Sequence, residues 1–218
     1  MTNDDQPSSS AGMPFRRVGR GTVSTRRLEA FTDGVFAIAA TLLVLDLTVN
    51  DIGKVASSGD LWASLSGMSS SFLSFAVSFL LLCLLWSIHV TQFEHIVRVD
   101  GVLTILNTLR LLGIVVIPFT TTINADYSDV WLGRVVLPIN FLFVVLIGYL
   151  QWLWASRRGS ALLDDMSDEE RRLSRAGSLS AVVLGVVTLA VAPWLGSIAF
   201  VAYALDAPMT RLLQRIGR

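Results

Sequence analysis

The chain has 218 residues, of which 53% are hydrophobic and only 16% charged, and its mean hydropathy is +0.62. A soluble domain carries about 25% charged residues, so the deficit excludes an ordinary soluble fold, and the long Leu, Val, Ile and Phe runs point to the bilayer. Seventeen basic residues balance seventeen acidic ones; the short arginine clusters suit membrane topology better than nucleic acid, and no nucleic-acid partner is expected.

In chain order, residues 1–25 are polar and read as a disordered cytoplasmic tail. A membrane domain follows over 26–210, and 211–218 read as a C-terminal cytoplasmic tail. The expected spans are Phe31 to Val49, Leu65 to Val90, Val102 to Ile123, and Val130 to Ala155. A loop covers 50–64, and the Ser-rich start of the second span suits close helix packing. Trp152 and Trp154 read as interfacial anchors at the end of the fourth span. In the long loop 156–175, Ser167 followed by Glu170 is a capping-box pattern that starts a helix. The apolar stretch Ala176 to Leu205 is long for one span and short for two. It reads as a hairpin turning near Pro193, the competing form being one long kinked helix.

Charge placement favours the hairpin. With six spans, fourteen arginines fall on the cytoplasmic side, against Lys54 and Arg134 outside. The outer loops carry Asp51, Asp60, Asp126 and Asp129 instead. The expected architecture is therefore all-α, six transmembrane helices per chain, multi-pass in the cell membrane with both termini cytoplasmic.

Little else suggests chemistry. Cys83 is the only cysteine. It excludes an intramolecular disulfide and a Cys-rich metal site, and reads as a small buried hydrophobe. Neither histidine belongs to an HxxxH or HExxH pattern, and there is no GxSxG or Gly-rich phosphate loop. No enzyme activity, cofactor or metal is expected.

The first span carries an aspartate, Asp33, where an ionised group is costly and marks a site. At 100° per residue, Phe31, Gly34, Val35, Ile38, Thr41, Leu42, Leu45 and Val49 form one stripe, and Asp33 points about 140° from Ile38. The two therefore face different neighbours. Arg110, inside the third span, is expected to snorkel or to pair with an acid.

The run RRLEAFTDGVFAIAATLLVLDL resembles the Arg-x-x-x-Phe-Ser-Asp helix of the potassium channels related to transmembrane protein 175, with Thr32 at the usual Ser. Trp86, His89, Phe93, Ile96 and Asp100 match the end of that family's second helix. Leu106-Asn107 and Ile117-Pro118-Phe119-Thr120 match its third. The resemblance is clearest over residues 26–125. It implies a potassium-selective channel, a homotetramer of six-helix chains whose first helices line a central pore. By position it assigns the constriction and selectivity layer to Ile38, Thr41, Leu42 and Leu45. It assigns Arg27, Thr32, Asp33, His89 and Asn107 to a polar lock joining the first three helices. The implied partners are potassium ions, the lipid bilayer and further copies of the chain. A secondary transporter for a small cation or solute is the alternative, but it would need broken helices and paired repeats. Only Pro118 and Pro193 hint at breaks.

Aliphatic rings offer an ion no ligands. They impose a waist at which a cation sheds part of its hydration shell, which favours the more loosely hydrated potassium. Thr41 hydroxyls could replace some of that water, and Asp46 with the acidic outer loops would concentrate cations at the mouth.

Overall fold

A computed structural model of the chain describes residues 24–47, 52, 55–157, 160–164 and 166–216. The expected N-terminal tail lies outside them except for its last two residues.

The first helix, α1 (Thr25–Leu42), starts at Ser24, whose hydroxyl accepts from the Arg27 N–H at 3.3 Å. It buries Leu28, Thr32, Phe36 and Ala39, spaced four, four and three, so one narrow face meets the rest of the chain. A 3-10 turn (Leu43–Asp46) closes its end, with Leu43 fully buried. The sequence placed a loop through residue 64; the chain instead forms a short helix α2 (Ser58–Gly67), capped by Ser57 and burying no residue. The second span, α3 (Ser69–Phe93), starts after Met68, four residues later than expected.

Asp100 starts α4 (Gly101–Asp126), its carboxylate accepting from the Leu103 N–H at 2.8 Å. Helix α5 (Trp131–Ala155) lies between α4 and α6 and packs most extensively against both. Gly113 makes the close approach of α4 to α5 possible. A Cβ there would sit 2.6 Å from a Val144 methyl and 2.9 Å from the Phe143 ring. At the start of α5, Arg134 donates from Nη1 to the Pro193 carbonyl at 2.9 Å. The loop after α5 pairs with the α3–α4 connection, the Val97 N–H donating to Leu162 O at 2.9 Å and the Asp164 N–H to His95 O at 2.9 Å.

Helix α6 (Asp168–Leu195) opens with the expected capping box: Ser167 accepts from the Glu170 N–H, and the Glu170 carboxylate accepts from the Ser167 N–H at 2.9 Å. It continues through Pro193 and reverses three residues later, at Gly196, with φ 55°. That left-handed φ strains any residue with a Cβ, which explains glycine at the turn. A 3-10 segment (Gly196–Leu205) returns along α6 and leads into α7 (Asp206–Ile216). The stretch from Ser180 to Gly196 rises about 24 Å as α-helix, and the ten-residue return recovers about 20 Å at 3-10 pitch. The two legs are joined where Tyr203 Oη donates to Ala181 O at 2.8 Å and Ser180 Oγ to the Asp206 carboxylate at 2.7 Å. The chain thus folds as a hairpin rather than one kinked helix, turning at Gly196 instead of Pro193. Helix α7 also occupies 211–216, where the sequence suggested a tail.

Among the described residues, five segments are long and apolar enough to cross a membrane, the last, Asp168–Tyr203, containing the reversal. The main core joins Phe36 and Leu43 to Leu82, Leu85, Ile114, Ile117, Leu137, Phe141 and Val144. A second cluster gathers Leu28, Phe93, Ile96, Leu103 and Trp152. Outward positions such as Leu80, Ile105, Leu112 and Phe119 are exposed apolar side chains. That surface suits lipid rather than water. Cys83 is exposed on α3, not buried as expected. Trp152 is 1% exposed and so is a core residue rather than an interfacial anchor.

Candidate functional site

The buried face of α1 leaves the opposite side of the helix bare. Phe31, Ile38 and Leu45 are 63%, 61% and 63% exposed, and Gly34, Thr41 and Leu42 are exposed with them. These are six of the eight stripe residues. Val35 departs from the stripe, being half-buried and packed against the main core. Val49 lies outside the described residues, as does the side chain of Asp46.

Thr41 differs chemically from its neighbours on this face. Its Oγ1 donates to the Ile38 carbonyl at 2.8 Å, the usual resting bond of a helical threonine. The donor is thereby used, while the oxygen keeps lone pairs that can face a cation. Ile38, Leu42 and Leu45 offer only aliphatic surface. One helix face therefore presents apolar side chains interrupted by the single hydroxyl of Thr41.

The five polar residues assigned to a lock are divided by the structure. Thr32 and Asn107 meet: Asn107 Nδ2 donates to Thr32 Oγ1 at 2.9 Å, both side chains fully buried. Gln151 of α5 extends the link, donating to Asn107 Oδ1 at 3.3 Å. Asp33, only half-buried, accepts instead from the Trp86 indole N–H at 3.0 Å. His89 is fully buried beside Phe36 and Phe93, with ring centroids 5.8 and 4.1 Å away, and neither ring nitrogen has a hydrogen-bond partner. Arg27 is exposed at the first turn of α1. So α1, α4 and α5 are tied through Thr32, Asn107 and Gln151, while α1 and α3 are tied separately through Asp33 and Trp86.

Gln151 and Trp86–Asp33 went unassigned in the sequence. Helical spacing signals both in part: Gln151 is a polar residue within an apolar run, and Trp86 stands three residues before His89. Arg110 is the larger surprise. It neither snorkels nor pairs with an acid. It is 1% exposed, donating from Nη1 to Gln92 Oε1 at 3.2 Å and from Nη2 to the Leu85 carbonyl at 3.4 Å. At the helix ends, Asp100 holds the Trp154 indole N–H at 3.0 Å, and the Arg157 guanidinium lies 3.6 Å over that ring. Trp154 thus has the polar anchoring expected of an interfacial residue.

Comparison with known proteins finds one family similar to this chain. The family described as endosomal/lysosomal potassium channel TMEM175 matches residues 27–118, which span most of α1, all of α2 and α3, and most of α4. A potassium channel of Streptomyces collinus is 42% identical over 101 residues, 46% of this chain and 48% of the relative. The human endosomal/lysosomal proton channel TMEM175 is 40% identical over 94 residues, 41% of this chain and 19% of the relative. The chain spans about half the length of the bacterial curated relatives it matches. The crystal structure of a lysosomal potassium-selective channel TMEM175 homolog from Chamaesiphon minutus aligns with a TM-score of 0.71 at 28% identity, covering 87% of this chain and 97% of its own. Over residues 27–118 the chain is thus similar to the TMEM175 family, and it shares the fold of that homolog along nearly all of the homolog's length.

Proposed function

We propose that the chain is a potassium-selective cation channel of the cell membrane, assembled as a homotetramer with the bare face of α1 lining a central pore. The observation that carries this reading is the division of α1 into a buried face and an apolar face that none of the described residues covers. Relatives named as potassium channels, one of them of the same fold, support it. In a symmetric assembly each copy contributes the same residues, so Ile38, Leu42 and Leu45 become stacked rings and Thr41 a ring of oxygens. The waist strips water from the ion at Ile38, and the Thr41 oxygens return part of the lost coordination. Thr32–Asn107–Gln151 and Asp33–Trp86 keep α1 at a fixed rotation on its neighbours, which holds Ile38 toward the axis. Arg27 and His89 make none of these bonds and lie toward the proposed cytoplasmic ends of α1 and α3. The reversal at Gly196 and the arginine distribution support six spans with both termini cytoplasmic.

Recording from purified protein in planar bilayers, with potassium and sodium on opposite sides, tests this. Discrete conductance steps reversing near the potassium equilibrium potential are expected. Slow, saturable, gradient-dependent flux without steps would make the chain a transporter. A pH gradient in the same chamber decides whether protons also pass, as the names of the animal relatives suggest for those proteins.

A further inference from the structure

The first turns of α6 bring three arginines to one cavity. Arg171, Arg172 and Arg175 line an open space of about 530 Å³ with Asp168 and with Ser156, the residue after the last turn of α5. That volume lies in the range of small-molecule sites, about 300–1,000 Å³. The charges around it are unevenly matched. Arg172 Nη2 lies 3.8 Å from the Glu169 carboxylate. Arg171 uses only its Nε, which donates to the Met166 carbonyl at 3.3 Å. Among the described residues neither Arg171 nor Arg175 forms an ion pair, and Asp168 on the same wall pairs with neither. Arg171 and Arg175 stand four residues apart, adjacent on one helix face, where like charges repel. Two guanidiniums with free N–H groups on a shared cavity suit an anion with several acceptor oxygens.

The cavity also lies at the depth of a lipid headgroup. The apolar run of α6 begins at Ala176, directly after Arg175, and α5 ends at Ala155, directly before Ser156. Trp154, held by Asp100 and covered by Arg157, marks the bilayer boundary two residues before Ser156. Toward the membrane interior, Leu179 and Val186 continue the Arg175 side of α6, and Val186 is 53% exposed. Apolar surface for an acyl chain therefore lies directly beneath the arginines.

We infer that this cavity seats the headgroup of an anionic phospholipid, with its phosphate on Arg171 and Arg175 and its chains along α6. Basic pockets between spans hold such headgroups by charge and depth together. A free anion would meet the same arginines but gain nothing from the apolar strip. The site involves no residue of α1 and does not depend on the proposed pore.

Phosphatidylglycerol and phosphatidylcholine with identical oleoyl chains are the probes, each titrated into the purified full chain in detergent and counted by native mass spectrometry. Both carry a phosphate, but only phosphatidylglycerol is a net anion. Wild type should prefer phosphatidylglycerol by about thirtyfold, two arginines at about fivefold each. Arg175→Gln should weaken phosphatidylglycerol binding by about fivefold, and Arg171→Gln with Arg175→Gln should abolish the preference. Arg175 is exposed and bonds to none of the described residues, so its variant keeps the fold. Arg211→Gln removes the same charge from an exposed position on α7 outside the cavity and should leave binding unchanged. Equal losses in Arg175→Gln and Arg211→Gln would reveal a general attraction to basic surface and overturn the site. So would equal retention of the two lipids by wild type. Displacement of phosphatidylglycerol by inorganic phosphate at equal concentration would make this a free-anion site and overturn the lipid assignment.

Discussion

Helices α1 and α5 are both about the length of a bilayer and similarly apolar, yet they stand in opposite positions. Half of the most apolar stretch of α5 is buried within the chain, against 28% for α1. Helix α5 is packed by α4 on one side and α6 on the other, and its Phe141 is 1% exposed between Phe200 and Tyr203. Helix α1 commits one face to the core and leaves Phe31, Ile38 and Leu45 bare. In lipid, hydrophobicity alone does not say which side chains are covered, because lipid tails are as apolar as leucine. Small residues at close crossings and buried polar bonds decide it. Gly113 and Gly148 adjoin α5 or lie on it, whereas Gly34 of α1 has open space where a Cβ would be.

The largest expected effect separates the two helices by stability. Phe141→Ala should destabilise the fold by about 3–5 kcal/mol, through lost contacts and the cavity left behind. Phe31→Ala should change the stability of the chain's own fold by about 0.5 kcal/mol or less. Thermal unfolding in detergent checks both, and equal losses would mean that α1 is covered on both faces. A smaller effect is expected at the polar bond between α1 and α4. Asn107→Leu strands Thr32 and Gln151 and should cost about 1–2 kcal/mol. If Asn107→Leu melts like wild type, rotation of α1 is set by apolar packing alone. The smallest change is Thr41→Val, which keeps the shape and deletes the hydroxyl. It should leave the melting temperature within about 1–2 °C, since the lost bond is local to its own helix turn. Its potassium preference over sodium should nevertheless fall, measured from reversal potentials.

Much of this was legible in the sequence because periodicity and caps are local. The narrow buried face of α1 and the Ser167–Glu170 box each arise from residues a few positions apart. What required the structure was the identity of neighbours. A 100° wheel separates Asp33 from Ile38 but does not say that Trp86, rather than His89 or Asn107, comes to meet Asp33. It likewise could not show that Val35, near the edge of the stripe, turns into the core. Pro193 was a misleading turn signal. The helix continues past it and ends two residues later, where Arg134 bonds the Pro193 carbonyl, one of those the helix end leaves free. The turn waits for Gly196, where the backbone needs a positive φ. Arg110 was unreadable for the same reason: its acceptor Gln92 is eighteen residues away on α3, and its flat neighbour Gly148 is on α5.

The central claim is that the bare face of α1, and not some other exposed apolar face, meets the ion. Ile38 and Ile105 make a matched pair, 61% and 62% exposed on α1 and α4. Reversal potentials under mixed potassium and sodium should be compared for Ile38→Asn and Ile105→Asn in assembled channels. The account predicts that Ile38→Asn wets the waist and shifts the reversal potential toward that of sodium, while Ile105→Asn leaves it where wild type has it. A shift in Ile105→Asn with none in Ile38→Asn would contradict it and place the pore on another helix.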